Sequence, residues 1–274
     1  VTGVQTCALP IYDPSNYRPI IVCSWYAQII EGCVSVADTA CDNQFGFRQQ
    51  RGTDFCNVLL GDVLSFYKAK GSPVFVCSLD AVKCFDNIWH DGLFYKLWGS
   101  IGVTEWLLLF KWYHNLHAVV KWNNSFSDRF RVTRGTRQGS TLSPKFFNIF
   151  INDLLCQLQS ANYGVRIGET KINSFAYADD ITLISSTVTG LQALINICYD
   201  YAKTWKFAFG HSKSKCIIAG DRRALSHSSN YISHQWLLGN HPLDTVEEIN
   251  VLGVIFSSDG SFRSEERRVR KECR

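Results

Sequence analysis

Three aspartates sit where strand-forming runs end or turn. Asp80 follows PVFVCSL, a continuous apolar run of strand length, and Asp179 and Asp180 lie inside NSFAYADDITLIS, two apolar half-strands flanking Ala178-Asp179. A buried ionised carboxylate without a partner is expensive. Two adjacent ones left unpaired would force one to take up a proton, whereas divalent cations would hold both ionised. Mg2+ suits such a site, because it takes one or two carboxylates and completes its octahedron with phosphate oxygens and water. Two such ions about 3.5–4 Å apart would activate an attacking hydroxyl and stabilise the leaving group of an in-line displacement. That chemistry needs a third carboxylate from elsewhere. A sheet placing the Asp80 strand beside the 173–185 hairpin would bring all three acids to one edge. Singly, each signal is weak: an Asp at a hairpin tip is usually a turn former. An acid near a strand end often caps the next helix, which is the role expected of Asp86.

The elements that must position these acids can be read from periodicity. Trp25 to Val36 reads as a helix, and Thr53 to Lys70 as a better one, with Phe55, Val58, Leu59, Val63 and Phe66 on one side. A helix is expected from near Asp91, stopped by Gly99 and Gly102. Ala118–Trp122 and Ser127–Thr133 flank Asn123-Asn124 as a hairpin leading into the turn-rich GTRQGSTLSP. Ser143 is expected to N-cap a helix with Pro144 at its first position. That helix runs to about Leu158, with Phe147, Phe150, Ile151, Leu154, Leu155 and Leu158 as its apolar face. A further helix aligns Leu191, Leu194, Ile195, Cys198, Ala202 and Trp205. CIIAG is a strand, and two more are expected around Gly239-Asn240 and through VLGVIFSS. The order describes an α+β domain with helices packed on one face of an antiparallel sheet.

Composition sets the outer bounds. The chain has 274 residues, 46% of them hydrophobic, enough for a substantial core. No stretch approaches the ~20 uncharged apolar residues of a membrane span, and the apolar start lacks a signal peptide's basic flank. Neither membrane insertion nor secretion is expected. The 11 cysteines form no C-x-x-C pair and have no His grouping nearby, so reduced, mostly buried thiols are expected rather than zinc or disulfides. Net charge is +4, of which the last twelve residues carry +3. Bulk charge therefore says nothing for a nucleic-acid partner. Locally, Arg129, Arg131, Arg134 and Arg137 stand against the single Asp128, either a phosphate-binding cluster or a solvated basic face.

Taken together, SLDAVKCFDNIWH, GTRQGSTLSP, FAYADDITLI and VLGVIFSSDG resemble, in order and spacing, the palm motifs of reverse transcriptases. NYRPI and NQFGFRQQRGT resemble finger motifs of non-LTR retrotransposon and group II intron enzymes, with the LINE type nearest overall. The likeness spans roughly Asp13 to Phe262. It implies an RNA-directed DNA polymerase whose palm is an antiparallel, RRM/ferredoxin-like α+β domain over 73–262, preceded by partial fingers over 12–72. Residues 1–11 and 263–274 resemble translated adaptor or cloning sequence. The resemblance further implies that Asp80, Asp179 and Asp180 bind two Mg2+, with Mn2+ a possible substitute. Phe85 matches the aromatic gate that excludes a ribose 2′-OH. Gln138 and Gly139 match the loop against the incoming nucleotide and template. Arg18, Arg48 and Arg51 are candidate triphosphate contacts, and Lys213 matches the position proposed to protonate the leaving pyrophosphate. Implied partners are an RNA template, a DNA primer and dNTPs, and the implied location is nucleus and cytoplasm. Gly210 and Ser140 depart from the asparagine and cysteine common in relatives. The expected thumb and complete fingers are absent, which leaves a fragment's activity open. Two other readings stand beside this one: a catalytically silent retroelement remnant that at most binds RNA, and an RNA-templated RNA polymerase, against which the bulky Phe85 argues.

Overall fold

The structure is a computed structural model and describes residues 22, 24–37, 39–122, 124–137, 139–220 and 234–264. In chain order the helices are α1 (Trp25–Cys33), α2 (Thr53–Ala69), α3 (Cys84–Asn87), α4 (His90–Leu97), α5 (Val103–His114), α6 (Ser143–Ser160) and α7 (Val188–Thr204). The strands begin with β1 (Val74–Asp80), followed by a ribbon of β2 (His117–Ala118), β3 (Lys121–Trp122), β4 (Ser125–Phe126) and β5 (Phe130–Arg131). After α6 come β6 (Val165–Ile167), β7 (Thr170–Ile172), β8 (Ser174–Tyr177) and β9 (Asp180–Ser185). After α7 come β10 (Lys215–Ala219), β11 (Leu237–Leu238), β12 (His241–Pro242), β13 (Asp244–Val246), β14 (Glu248–Val251), β15 (Val254–Ser257) and β16 (Phe262–Ser264).

The central sheet has the order β13-β10-β1-β9-β8, antiparallel throughout except for the parallel β10–β13 pair. β1 lies in its middle, which explains why VFVCSL has no polar alternation: both of its faces are covered. Phe75, Cys77 and Leu79 point into one core with α4, α5, α6 and α7, whereas Val74 and Val76 point into a second with α2 and β14–β15. The expected apolar face of α6 is buried, as is that of α7 up to Trp205, which is its C-cap. The α+β architecture is as expected, and the second sheet face carries α2 and the β14–β16 sheet rather than solvent. Among the described residues no helix is long and apolar enough to cross a membrane.

Several local expectations are corrected. α2 buries Cys56, Leu60, Val63 and Leu64, while Phe55 and Val58 are exposed. With apolar residues nearly all round that helix, periodicity could not choose the face that docks. α5 was not expected at all. It starts at Gly102, whose extended backbone serves as N-cap, and leaves Leu107 and Leu108 exposed. Ser143 does not cap α6: the N-cap is Leu142, and the Ser143 hydroxyl donates instead to the Arg137 carbonyl (2.8 Å). Nor does Asp86 cap α4, which begins after Trp89 without a side-chain cap; Asp86 lies inside α3. VLGVIFSS is a hairpin rather than one strand, because Leu252 (φ 50°) and Gly253 (φ 81°) form a left-handed two-residue turn between β14 and β15. Arg263 pairs in β16 with Ile255 and bridges Glu248 at 2.7 Å, so the boundary drawn at 263 falls inside a strand.

Candidate active site

The ladder between β1 and β9 runs from Phe75–Ser185 to Asp80–Asp180, so Asp80 and Asp180 are direct cross-strand partners at the sheet's edge. Such pairs hold their Cβ atoms about 4.5–5.5 Å apart. Tyr177 pairs with Asp180 across β8–β9, leaving Ala178 and Asp179 as a two-residue turn. The chain thus brings all three acids together from two separate segments. The Asp180 carboxyl is pushed up from its usual 3.8 to about 6, first by burial and then by the charges of Asp179 and Asp80. Burial, and then the Asp179 carboxylate hydrogen-bonded to it, push the Cys84 thiol well above its ordinary range.

The end of β1 is braced from below. The Asp80 N–H donates to the Ser214 hydroxyl (3.1 Å), and the Asp80 carbonyl accepts the Gly210 N–H (2.8 Å). The 210–214 turn carrying Lys213 is therefore bonded to the Asp80 backbone, with the Lys213 side chain exposed. A Cβ at Gly210 would lie 3.5 Å from Asp80 Oδ2, so the residue that departs from the family pattern borders the carboxylate itself.

Phe85 stands on α3, just after β1. Its ring stacks on Phe147 (4.6 Å) and meets the edge of Phe47 (5.9 Å). The GTRQG loop is laid against this helix: Thr136 N–H donates to the Phe85 carbonyl (2.7 Å) and Gly135 N–H to that of Ile88 (2.8 Å). Gly135 has φ +85°, and a Cβ there would come within 2.6 Å of the Asp86 carbonyl oxygen, so only glycine fits. Gly139 follows, with open space beside it. Gln138 and Arg18 lie outside the described residues.

Arg48 and Arg51 are held within their own loop. Arg48 donates to the carbonyls of Cys41 (3.1 Å) and Gln44 (3.4 Å), and Arg51 to the carbonyl (2.7 Å) and carboxylate (3.2 Å) of Asp42. Arg137 is corrected more sharply. It does not belong to a basic surface: it is buried, ion-paired with buried Glu31 of α1, and lies over the Trp112 ring at 4.1 Å.

Gln44, which sequence reasoning passed over, is fully buried against the acidic turn. Its Oε1 accepts the Ala178 N–H (3.0 Å) and its Nε2 donates to the Ala178 carbonyl (3.3 Å). A buried glutamine two residues before a glycine is a faint signal. Only the arrival of a segment from 134 residues away makes it legible.

Among the described residues no three His, Cys, Asp or Glu side chains form a ready-made ion cage. The donor set nevertheless fits a hard divalent cation shared with substrate phosphates: adjacent carboxylates in mutual repulsion, on rigid strand ends. Reverse transcriptases as a class use divalent metal ions.

The sequence matches the family "Reverse transcriptase (RNA-dependent DNA polymerase)" over residues 10–256. It is 29% identical over 195 residues to a retrovirus-related Pol polyprotein from the type-1 retrotransposable element R2 of Popillia japonica, covering 67% of this chain and 27% of that protein. It is 28% identical over 270 residues to the RNA-directed DNA polymerase from mobile element jockey of Drosophila funebris, covering 92% of this chain and 28% of that one. The chain thus spans roughly a quarter of these relatives. Telomerase from Candida tropicalis, solved in complex with a TWJ fragment of telomeric RNA, shares the fold with a TM-score of 0.56 at 12% identity, over 84% of this chain and 35% of that one. Motif order, the Asp80–Asp180 edge and these relatives agree, and the chain belongs to the reverse transcriptase family, as a domain of the non-LTR, LINE type.

Proposed function

We propose that this chain carries the polymerase site of a retrotransposon polyprotein and copies an RNA template into DNA from a DNA primer end, using dNTPs. The observation that carries the reading is the pairing of Asp80 with Asp180, with Asp179 in the adjoining turn. Asp80, Asp179 and Asp180 would hold two Mg2+, for which Mn2+ could substitute. These ions supply activation of the primer 3′ hydroxyl and charge stabilisation of the departing pyrophosphate.

The remaining roles belong to the chain's own groups. Phe85, backed by Phe147, is a rigid wall suited to rejecting a ribose 2′-OH. Gly139 and Gln138 take the motif's role toward the incoming nucleotide and template, and Lys213 delivers a proton to pyrophosphate from the turn tied to Asp80. Arg48 and Arg51, with Arg18, contact the triphosphate; the first two must exchange their loop carbonyls and Asp42 for phosphate oxygens, a swap their fork geometry favours. We assign 12–72 as partial fingers and 73–262 as palm, and place the protein in nucleus and cytoplasm with its RNA.

Primer extension on poly(rA) primed with oligo(dT), using the chain completed with its flanking segments, tests this. Incorporation of dNTPs that Asp179→Ala abolishes is expected. No product from either protein would overturn the reading in favour of a silent remnant, and preference for ribonucleotides would overturn the deoxy assignment.

A further inference from the structure

We propose that Gln44 is the positioning residue of the catalytic edge: its buried side-chain amide brackets the Ala178 peptide and so sets where the turn holds Asp179 and Asp180 against Asp80. The inference rests on the polymerase reading of those aspartates. Ala178 adopts φ +57°, the left-handed region that residues with a Cβ rarely occupy. A two-residue turn built this way normally takes glycine at such a position. Here an alanine stands instead, and its peptide is held from outside the hairpin.

Gln44 supplies that hold. One side chain satisfies both polar groups of residue 178, the N–H through Oε1 (3.0 Å) and the carbonyl through Nε2 (3.3 Å), while Oε1 also accepts the Gly46 N–H (2.8 Å). Only an uncharged carboxamide of this length offers acceptor and donor in one plane. Glutamate lacks the donor and would bring a charge beside two carboxylates.

The surrounding segment keeps the amide from swinging away. Phe45 N–H donates to the Ala176 carbonyl and Ala176 N–H to that of Asn43, both at 2.8 Å, so 43–45 lies as an extra short parallel bridge on β8. Behind it, Asn148 of α6 donates to the Gly46 carbonyl (3.1 Å). Gly46 itself rests on the turn so closely that a Cβ would collide with the Ala178 nitrogen. The spacing of Gln44 and Gly46 is thereby explained as one device, a polar clamp and a close backbone approach on the same peptide. Displacing that peptide would move Asp179 relative to Asp80, and errors near 1 Å in such sites cost about a hundredfold.

The test compares the parent chain with Gln44→Met, Ala178→Gly and the double variant. Three readouts are taken: amide hydrogen exchange at residue 178, Mn2+ affinity by electron paramagnetic resonance, and KM against kcat for extension in the completed protein. Gln44→Met is expected to speed exchange at the Ala178 amide about ten- to a hundredfold and to weaken Mn2+ binding about tenfold. Adding Ala178→Gly, which adopts the left-handed turn unaided, is expected to restore Mn2+ affinity to within about threefold while exchange stays fast. The kcat should follow Mn2+ affinity, with KM for dNTP nearly constant.

A glutamine that merely stabilised the fold would show no such rescue. Should Gln44→Met fail to fold, Gln44→Asn withdraws the amide by one methylene and is expected to give the same loss and the same rescue. Parent-like Mn2+ affinity in the folded Gln44 variants, or a loss that Ala178→Gly does not repair, overturns the proposal. A parent chain that binds no Mn2+ would instead sink the two-metal reading, and this inference with it.

Discussion

Asp80 and Asp180 face each other across β1 and β9, the last residue of one strand opposite the first of the other. Strand geometry directs their side chains to one edge, and the Ala178–Asp179 turn adds the third carboxylate there. Like charges directly opposite one another on a sheet are destabilising. The edge therefore trades stability for a site that a cation completes.

That trade is measurable. Asp80→Asn and Asp179→Ala should each lower polymerase activity by at least about a thousandfold, because several kcal/mol of transition-state charge stabilisation are lost. Without metal, Asp180→Asn should raise the thermal midpoint, since it removes repulsion from Asp179 and Asp80. Steady-state extension assays and thermal melts check both signs. A midpoint lowered by Asp180→Asn would contradict the repulsion.

The same group sets a pH dependence. The folded-state value for Asp180, about 6, lies above its ordinary 3.8, so between these values the folded chain holds the proton more tightly than the unfolded one. The contribution of Asp180 is present below 3.8 and is lost as pH rises through 6. Urea unfolding of parent and Asp180→Asn at pH 4.5 and 7.5 should show the parent losing ground at the higher pH. Saturating Mg2+ should erase that loss.

Lys96 gives the opposite slope. Its ammonium is buried under Phe150, Tyr201 and Trp205, with the Trp205 ring 3.7 Å away. Burial pulls its pKa from 10.5 down to about 8, a shift that the nearby Asp153 carboxylate (3.0 Å) partly opposes. Between those values the unfolded chain binds the extra proton, so stability should rise with pH from 8 to 10.5. The difference in urea midpoint between parent and Lys96→Met isolates this term from titrating thiols.

Phe85→Val should relax sugar selection. Removing one apolar wall at the ribose is worth about ten- to two-hundredfold in discrimination. Competition between dCTP and CTP on a defined RNA template measures it. Unchanged selectivity would return Phe85 to a core role against Phe147.

The arginines of the 129–137 segment divide into two classes. Arg129 is exposed on the ribbon that also exposes Trp122, Phe126 and Phe130, whereas Arg137 is buried against Glu31. Arg129→Ala should reduce the salt dependence of RNA binding by about one unit of slope and leave stability unchanged. Arg137→Met, by stranding a buried carboxylate, should cost about 3–5 kcal/mol of stability. Binding titrations at several salt concentrations and denaturant unfolding separate the two.

Much of this was legible from residue order, for identifiable reasons. The β1 run and the β8–β9 hairpin follow from apolar runs bounded by turn residues, and the apolar faces of α6 and α7 from helical periodicity over long segments. The docking face of α2 was not, since Phe55 and Val58 are as apolar as Leu60 and Leu64. The break at Leu252-Gly253 hid because Val251 on one side and Val254, Ile255 and Phe256 on the other favour strands, and a lone glycine within such a run reads as readily as a bulge. Arg137 and Gln44 were the hardest, because each looks like a surface residue until α1 or the acidic turn arrives to bury it. Polar burial is decided by long-range partners, which local pattern does not carry.

The most direct test is anomalous diffraction from crystals of the chain with an RNA–DNA primer-template, a dNTP and Mn2+. Two peaks about 3.5–4 Å apart, ligated by Asp80 together with Asp179 and Asp180, are the expected result. Peaks elsewhere, or a single ion bound without Asp80, would contradict the shared edge on which the polymerase reading stands.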